Sequence, residues 1–271
     1  MVVLNLVNRE DSNVSYKLNR FPDGEVMFEF TAKLDRKESM HIICRIKSAE
    51  DLFILLQIGD ILNRHGIEFE LSILYLMSMR MDRVMDFNRP YNLQIVSNLI
   101  NSIKPRKVKI IEPHSDKTTL LLQNSEGIPT TGSIPIEELN PSTVICFPDK
   151  GAYDRYITEV FPHLEKCFCE KERDMLGALV GFNLKKGLIN FNERHILVID
   201  DLCDGGGTFI GVGELLKKEP IGKLSIFITH AIQKQGLEKL SKMYDEIFIT
   251  NSYHDWDIEE LPENVKVIKI I

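Results

Sequence analysis

The sequence predicts an α/β chain of two domains, each a mainly parallel sheet flanked by helices. Three observations lead there. Apolar, β-branched runs alternate with stretches of helical period in both halves of the chain. The run Ile196–Ile199 is apolar at every position, the pattern of a strand buried on both faces. Between the halves, Leu120–Pro141 turns polar and carries Gly and Pro, which places the domains at 1–135 and 136–271.

Val2–Val7 reads as the first strand. Arg20-Phe21-Pro22-Asp23-Gly24-Glu25 then forms a turn before the alternating run Val26–Phe30. Met40–Ile46 is a strand. Ala49–His65 places Leu52, Leu55, Leu56, Ile58, Ile61 and Leu62 at helical spacing, and Gly66 stops that helix. Glu68–Met77 is the next strand. A charged segment, Met79–Arg89, follows without a clean period, and Pro90 opens a helix over Tyr91–Ile103. The strand Lys107–Ile111 leads into Pro113-His114-Ser115-Asp116. Arg80 and His114 thus follow the C-terminal ends of strands, where open α/β sheets bind ligands.

The second half repeats the layout. Ser142–Phe147 is a strand running into Pro148-Asp149-Lys150-Gly151, followed by a helix over Ala152–Phe161. Glu165–Asn192 carries the charge run Glu170-Lys171-Glu172-Arg173, which without further context reads as solvated surface. Strands at Leu224–Thr229, Glu246–Thr250 and Val265–Ile271, with a helix at Gly236–Met243, complete the chain.

The stretch that carries chemistry is His195–Phe209. An apolar strand ends in Asp200 and Asp201. A tight loop follows, Asp204-Gly205-Gly206-Gly207-Thr208, and then a helix over Phe209–Lys218. Glycines let the backbone approach a phosphate, and the free amides of a helix start point at it. Thr208 adds a hydroxyl donor, while the two acids can accept hydrogen bonds from the vicinal hydroxyls of a sugar. The stretch reads as a pentose-phosphate clamp. It is neither a Walker A loop, since no Lys precedes Thr208, nor G-x-G-x-x-G.

Composition narrows the partners. With 33 basic against 40 acidic residues the net charge is −7, which argues against nucleic acid. No apolar run reaches membrane-spanning length, and the N-terminal stretch lacks the apolar core of a signal peptide, so a cytoplasmic setting is expected. The five cysteines are scattered; Cys44 and Cys146 sit in core-like runs, and Cys167-x-Cys169 lacks a second pair for zinc. Cys203, beside a helix start, is a candidate for a lowered thiol pKa, although reduced, non-catalytic thiols are the expectation throughout.

Six strings now fall in one order: Phe21–Glu25, Arg80–Arg83, Pro113–Asp116, Pro148–Gly151, Glu170–Arg173 and Asp200–Thr208. Together they resemble the phosphoribosyl pyrophosphate (PRPP) synthetases, the ribose-phosphate diphosphokinases; the loop itself is shared with type I phosphoribosyltransferases. The resemblance implies two tandem phosphoribosyltransferase-like domains. It also implies transfer of the β,γ-diphosphoryl group of Mg-ATP to the anomeric hydroxyl of ribose 5-phosphate, with release of AMP. By the same resemblance Asp200 and Asp201 hold the ribose, and Asp204, Gly205, Gly206, Gly207 and Thr208 hold its phosphate. Lys171 and Arg173 are the catalytic pair over the transferred group. Phe21, Asp23, Glu25, Arg80, Asp82 and His114 bind ATP, and His114 and Asp149 lie near Mg²⁺. A homo-oligomer, dimer or higher, is implied because the Phe21–Glu25 segment reaches a neighbour's site.

The chain departs from the family at Met79-Arg80-Met81-Asp82, where a glutamine is usual at 81, and at Gly205, where a threonine is usual. A missing donor at 205 opens an alternative acceptor, the terminal ribose of ADP-ribose, whose substituted phosphate carries less charge and needs more room. The C-terminal helix usual in the family is not seen, which makes nucleotide feedback control an open matter. A type I phosphoribosyltransferase, or a non-catalytic regulatory homologue, is a further alternative. The first leaves Phe21–Glu25 and Arg80–Asp82 unexplained, and the second sits poorly with a retained Lys171 and Arg173.

Overall fold

The computed structural model describes residues 1–135, 139–158, 160–173 and 179–270, with the side chains of 173, 179 and 180 outside the description. The chain forms two compact units, Met1–Pro129 and Thr130–Ile271.

The first unit holds a sheet of five strands, ordered β1-β4-β5-β6-β7 and parallel throughout. These are β1 (Val2–Asn5), β4 (Met40–Ile46), β5 (Phe69–Leu76), β6 (Lys107–Ile111) and β7 (Ser125–Ile128). Its helices are α1 (Ala49–His65), α2 (Asn92–Ser102) and α3 (Asp116–Leu121). Helix α1 starts and stops where its sequence dictates. Ser48 and Asp51 form a reciprocal capping box at the start, and Gly66 closes the end at φ 68° in the left-handed region. Its Leu52, Leu55, Ile58 and Leu62 pack into a core with Ile42, Ile73 and Ile110 from the sheet. A separate antiparallel hairpin, β2 (Tyr16–Arg20) with β3 (Val26–Phe30), carries the Phe21–Glu25 turn at its tip.

The second unit is a sheet of seven strands, ordered β10-β9-β8-β11-β12-β13-β14. Its strands are β8 (Val144–Phe147), β9 (Glu165–Arg173), β10 (Leu179–Lys185), β11 (His195–Cys203), β12 (Lys223–Ala231), β13 (Glu246–Thr250) and β14 (Val265–Ile268). All neighbouring pairs are parallel except β9 with β10. Helix α4 (Lys150–Tyr156) covers one face, over Ile145, Phe147, Leu197 and Phe227. Helices α5 (Gly207–Leu216) and α6 (Lys234–Leu240) cover the other, over Val144, Val198, Ile226 and Ile247. Coverage on both faces is why Ile196–Ile199 reads as uninterrupted apolar sequence: each of those residues is 0–1% exposed.

Four strands and one helix go beyond the sequence reading. β2 is a short surface strand in which Tyr16 alone is buried and Leu18 lies 48% exposed. β7 falls in the stretch read as a polar boundary, and α3 lies mostly before it, from the end of the Pro113–Asp116 string. β9 and β10 replace what reads as a solvated charge run. Helix α4 ends at Tyr156 rather than at Phe161, whose φ of 42° cannot continue a helix.

Candidate active site

Sheet register in the second unit brings the predicted residues to one edge. Phe147 pairs with Phe168 and Cys146 with Val198, so Asp149, Lys171 and Asp200–Asp201 all lie a few residues past the level at which β8 ends, on the stretches where β9 and β11 run on. The C-terminal end of parallel strands is the usual ligand position in such sheets.

The acid pair lies near the end of the central strand, which runs on to Cys203 where the sequence reading ended it at the acids. Asp201 is 1% exposed and Asp200 half-buried. One carboxylate oxygen of Asp200, Oδ1, accepts the backbone N–H of Asp201 at 3.0 Å, which fixes the first side chain against the second residue. Burial, with the negative charge of Asp201 beside it, pushes the Asp200 carboxyl well above the usual carboxylate range, while Arg155 acts in the other direction. Two carboxyl groups are thus held side by side at an electrostatic cost.

The loop after it makes the amide cradle. Gly206 adopts the left-handed conformation, φ +81°, and is the N-cap of α5. The first N–H groups of α5 have no partner within the helix and face the loop. Helix α6 supports the loop from beneath. A Cβ at Gly236 would sit 2.5 Å from the carbonyl oxygen of Asp204, so only glycine lets the two segments approach. The Gln233 side-chain amide donates to Asp204 Oδ1 at 2.8 Å, and the Tyr244 hydroxyl donates to the carbonyl of Phe209 at 2.7 Å from within the core. Gln233 has no signature in the sequence; it is found only by the fold that returns α6 to the loop.

On the other side, Lys171 on β9 donates from Nζ to Asp149 Oδ2 at 2.9 Å. Asp149 is also the N-cap of α4, its Oδ1 accepting from the amide of Ala152 at 3.0 Å. Burial works to raise the Asp149 pKa, but the Ala152 amide, Lys171 and Arg155 outweigh it and hold the carboxyl below its ordinary value. The side chain of Arg173 lies outside the described residues; its backbone ends β9. Arg155, which the sequence reading did not single out, reaches from α4 to Asp201, Nη1 to Oδ1 3.0 Å. Its only sequence signal is a basic residue in the short helix after Asp149.

One expectation is corrected here. Cys203 is buried, and burial together with the charges of Asp200 and Asp204 pushes its thiol up to about 12, against a smaller opposing effect from the Gly206 amide. Proximity to a helix start does not lower the pKa of a thiol that has left water.

The other predicted residues belong to the first unit. Asp82, 3% exposed, follows β5 and pairs with Arg83, Oδ1 to Nε 2.8 Å. Burial works to raise its pKa, but the Arg83 hydrogen bond and the charges of Arg83 and Lys117 outweigh it, so the carboxyl is held ionised. Lys117 lies in α3, so the loop after β5 and the loop carrying His114 meet at the end of this sheet. His114 is half-buried there and Arg80 is exposed. Phe21, Asp23 and Glu25 are exposed at the tip of the hairpin.

Among the described residues no three His, Cys, Asp or Glu side chains come together to hold a metal ion. The oxygen donors of Asp149 and the acid pair nevertheless fit a hard cation of the Mg²⁺ kind, which keeps its waters and takes one or two carboxylates plus substrate phosphates. Among the described residues no helix is long and apolar enough to cross a membrane.

Comparison with known proteins finds relatives that span most of the chain. No family model matches the chain. The ribose-phosphate pyrophosphokinase of Pyrococcus abyssi is 25% identical over 278 residues, covering 98% of this chain and 90% of its own length. That of Pyrococcus furiosus is 26% identical over 245 residues, covering 87% and 85%. Among solved structures, the phosphoribosylpyrophosphate synthetase of Mycobacterium smegmatis superposes with a TM-score of 0.81 over 95% of this chain and 86% of its own, at 16% identity; this likeness speaks for the fold.

Proposed function

We propose that this chain, which belongs to the ribose-phosphate pyrophosphokinase family, transfers the β,γ-diphosphoryl group of ATP to the anomeric hydroxyl of ribose 5-phosphate, giving PRPP and AMP. The observation that carries the reading is the pairing of Lys171 with Asp149 at the same sheet edge as the acid pair and the amide cradle. A sugar-phosphate clamp alone fits any enzyme of phosphorylated ribose. A cation held opposite that clamp fits one that moves phosphoryl charge.

In this reading Asp200 and Asp201 accept from the vicinal ribose hydroxyls, and the amides of Asp204–Thr208, with the Thr208 hydroxyl, bind the 5-phosphate. The anomeric oxygen so held attacks the β-phosphorus of ATP in line. The bond from that phosphorus to the α,β-bridging oxygen breaks, and AMP leaves with the bridging oxygen. Such transfers need positive charge around the equatorial oxygens more than a strong base. Lys171 supplies it, exchanging its bond to Asp149 for the phosphates, and Arg173 is the second cation of the pair. Asp149 in the second unit, and His114 in the first, are the residues proposed to hold Mg²⁺, which would supply charge neutralisation to the phosphates. Arg80, Asp82, Phe21, Asp23 and Glu25 form the nucleotide side of the reading, with the hairpin serving a neighbouring copy in a homo-oligomer.

The names of the relatives favour ribose 5-phosphate over ADP-ribose as acceptor. The test is AMP release from Mg-ATP with each acceptor in turn, alongside a reaction of PRPP with free adenine. AMP formed with ribose 5-phosphate supports the reading. AMP formed with ADP-ribose alone moves the acceptor, and consumption of PRPP by adenine without AMP release from ATP replaces the reading with a phosphoribosyltransferase.

A further inference from the structure

Asp201 is almost wholly withdrawn from water, at 1% exposure, and a carboxylate in that position is tolerated only beside a counter-charge. Arg155 provides that charge. Its Nη1 lies 3.0 Å from Asp201 Oδ1, and its side chain is itself only 21% exposed. Arg155 stands in the last turn of α4, while Asp149 caps the start of the same helix and holds Lys171. One short helix therefore carries the partner of the phosphoryl-side cation at its start and the partner of the ribose-side acid at its end.

We infer that Arg155 is a positioning residue for the sugar acceptor: it pins Asp201 in place, and through Asp201 sets the orientation in which Asp200 meets the ribose hydroxyls. This rests on the reading of His195–Phe209 as a ribose-phosphate clamp. Asp200 is bound at Oδ1 by the Asp201 amide. Any shift of Asp201 is passed directly to it, leaving its second oxygen misaligned for the sugar. Arg155 pairs with an acid of the clamp, so its loss is expected to act on acceptor affinity ahead of that of ATP.

The experiment is calorimetric titration of the full-length protein with ribose 5-phosphate and, separately, with Mg-ATP. Wild type, Arg155→Met, Arg155→Lys, Asp201→Asn and the double variant Arg155→Met/Asp201→Asn are compared. Arg155→Met is expected to weaken ribose 5-phosphate binding about 100-fold with ATP binding unchanged, and Arg155→Lys to regain affinity to within about tenfold of wild type. The double variant leaves no unpaired buried charge and so tests the idea even where Arg155→Met does not fold. Because Arg155 acts through Asp201, adding Arg155→Met to Asp201→Asn is expected to cost nothing further. Unchanged acceptor binding in Arg155→Met, a parallel loss of ATP binding, or additive losses in the double variant each overturns the inference. A wild type that binds no ribose 5-phosphate instead overturns the clamp on which it stands, and that control separates the two failures.

Discussion

Lys171 on β9 bonds to Asp149 at the start of α4 across 2.9 Å, and this pair joins two segments that share no local sequence signal. The ammonium is partly withdrawn from water, 29% exposed, and its partner is held ionised by the Ala152 amide, Lys171 and Arg155. A lysine so held is presented at one place rather than spread over its rotamers, which is what charge stabilisation in a transfer reaction needs.

Replacing Lys171 by Ala is therefore expected to lower turnover by about 10² to 10³, the usual effect of removing one preorganised donor. Ribose 5-phosphate binding should stay within about threefold, because the clamp lies on β11 and α5. Steady-state AMP release and calorimetry on the same preparation check both halves. Turnover within a factor of two of wild type would remove Lys171 from the mechanism.

Asp200 makes an opposite prediction about stability. Its folded-state pKa is raised, so the folded chain holds this proton more tightly than the unfolded one. The stability it contributes is full below the ordinary carboxylate pKa and is lost as pH rises through the raised value. Asp200→Asn abolishes that loss. The variant is expected to melt about 2–6 °C above wild type at pH 8, with the gap narrowing toward pH 5. Thermal melts at the two pH values check it, and a variant less stable than wild type at pH 8 would contradict the account.

The glycine loop separates two kinds of substitution. Gly206→Ala forces a side chain into a left-handed position, φ +81°, and brings a Cβ 3.3 Å from the Gly236 carbonyl oxygen. A cost of about 1–2 kcal/mol is expected, with the cradle amides displaced. The KM for ribose 5-phosphate should rise about tenfold or more, with that for ATP unchanged. At Gly205 a Cβ meets only Gln233 Oε1, at 4.0 Å. Gly205→Thr is thus expected to fold normally and, by adding a hydroxyl donor to a dianion, to lower that KM. A raised KM in Gly205→Thr would show that the position is shaped for something other than a terminal phosphate.

How much of this was legible depended on where the information lay. Helix α1 is written locally, in Ser48, Asp51, the apolar stripe and Gly66, and the structure follows it. The β11–loop–α5 stretch is likewise contiguous, with its acids, glycines and apolar strand side by side. β9 was not legible, because Glu170–Arg173 carries no apolar alternation; its strand character comes from pairing with β8 and β10. Arg155 and Gln233 were missed for a related reason. Each acts on a residue of another element, Asp201 and Asp204, and only the fold brings them together. The expected low pKa of Cys203 failed because helix proximity was weighed without burial.

The central claim is that this site moves two phosphoryl groups as one unit onto the anomeric oxygen of ribose 5-phosphate. Phosphorus NMR of a reaction with Mg-ATP and ribose 5-phosphate tests it most directly. The account predicts a new pair of coupled diphosphate resonances, carried by carbon 1 of the sugar, appearing in step with AMP. Formation of ADP with a single new phosphate ester, or unaltered ATP under conditions where both substrates bind, would contradict it.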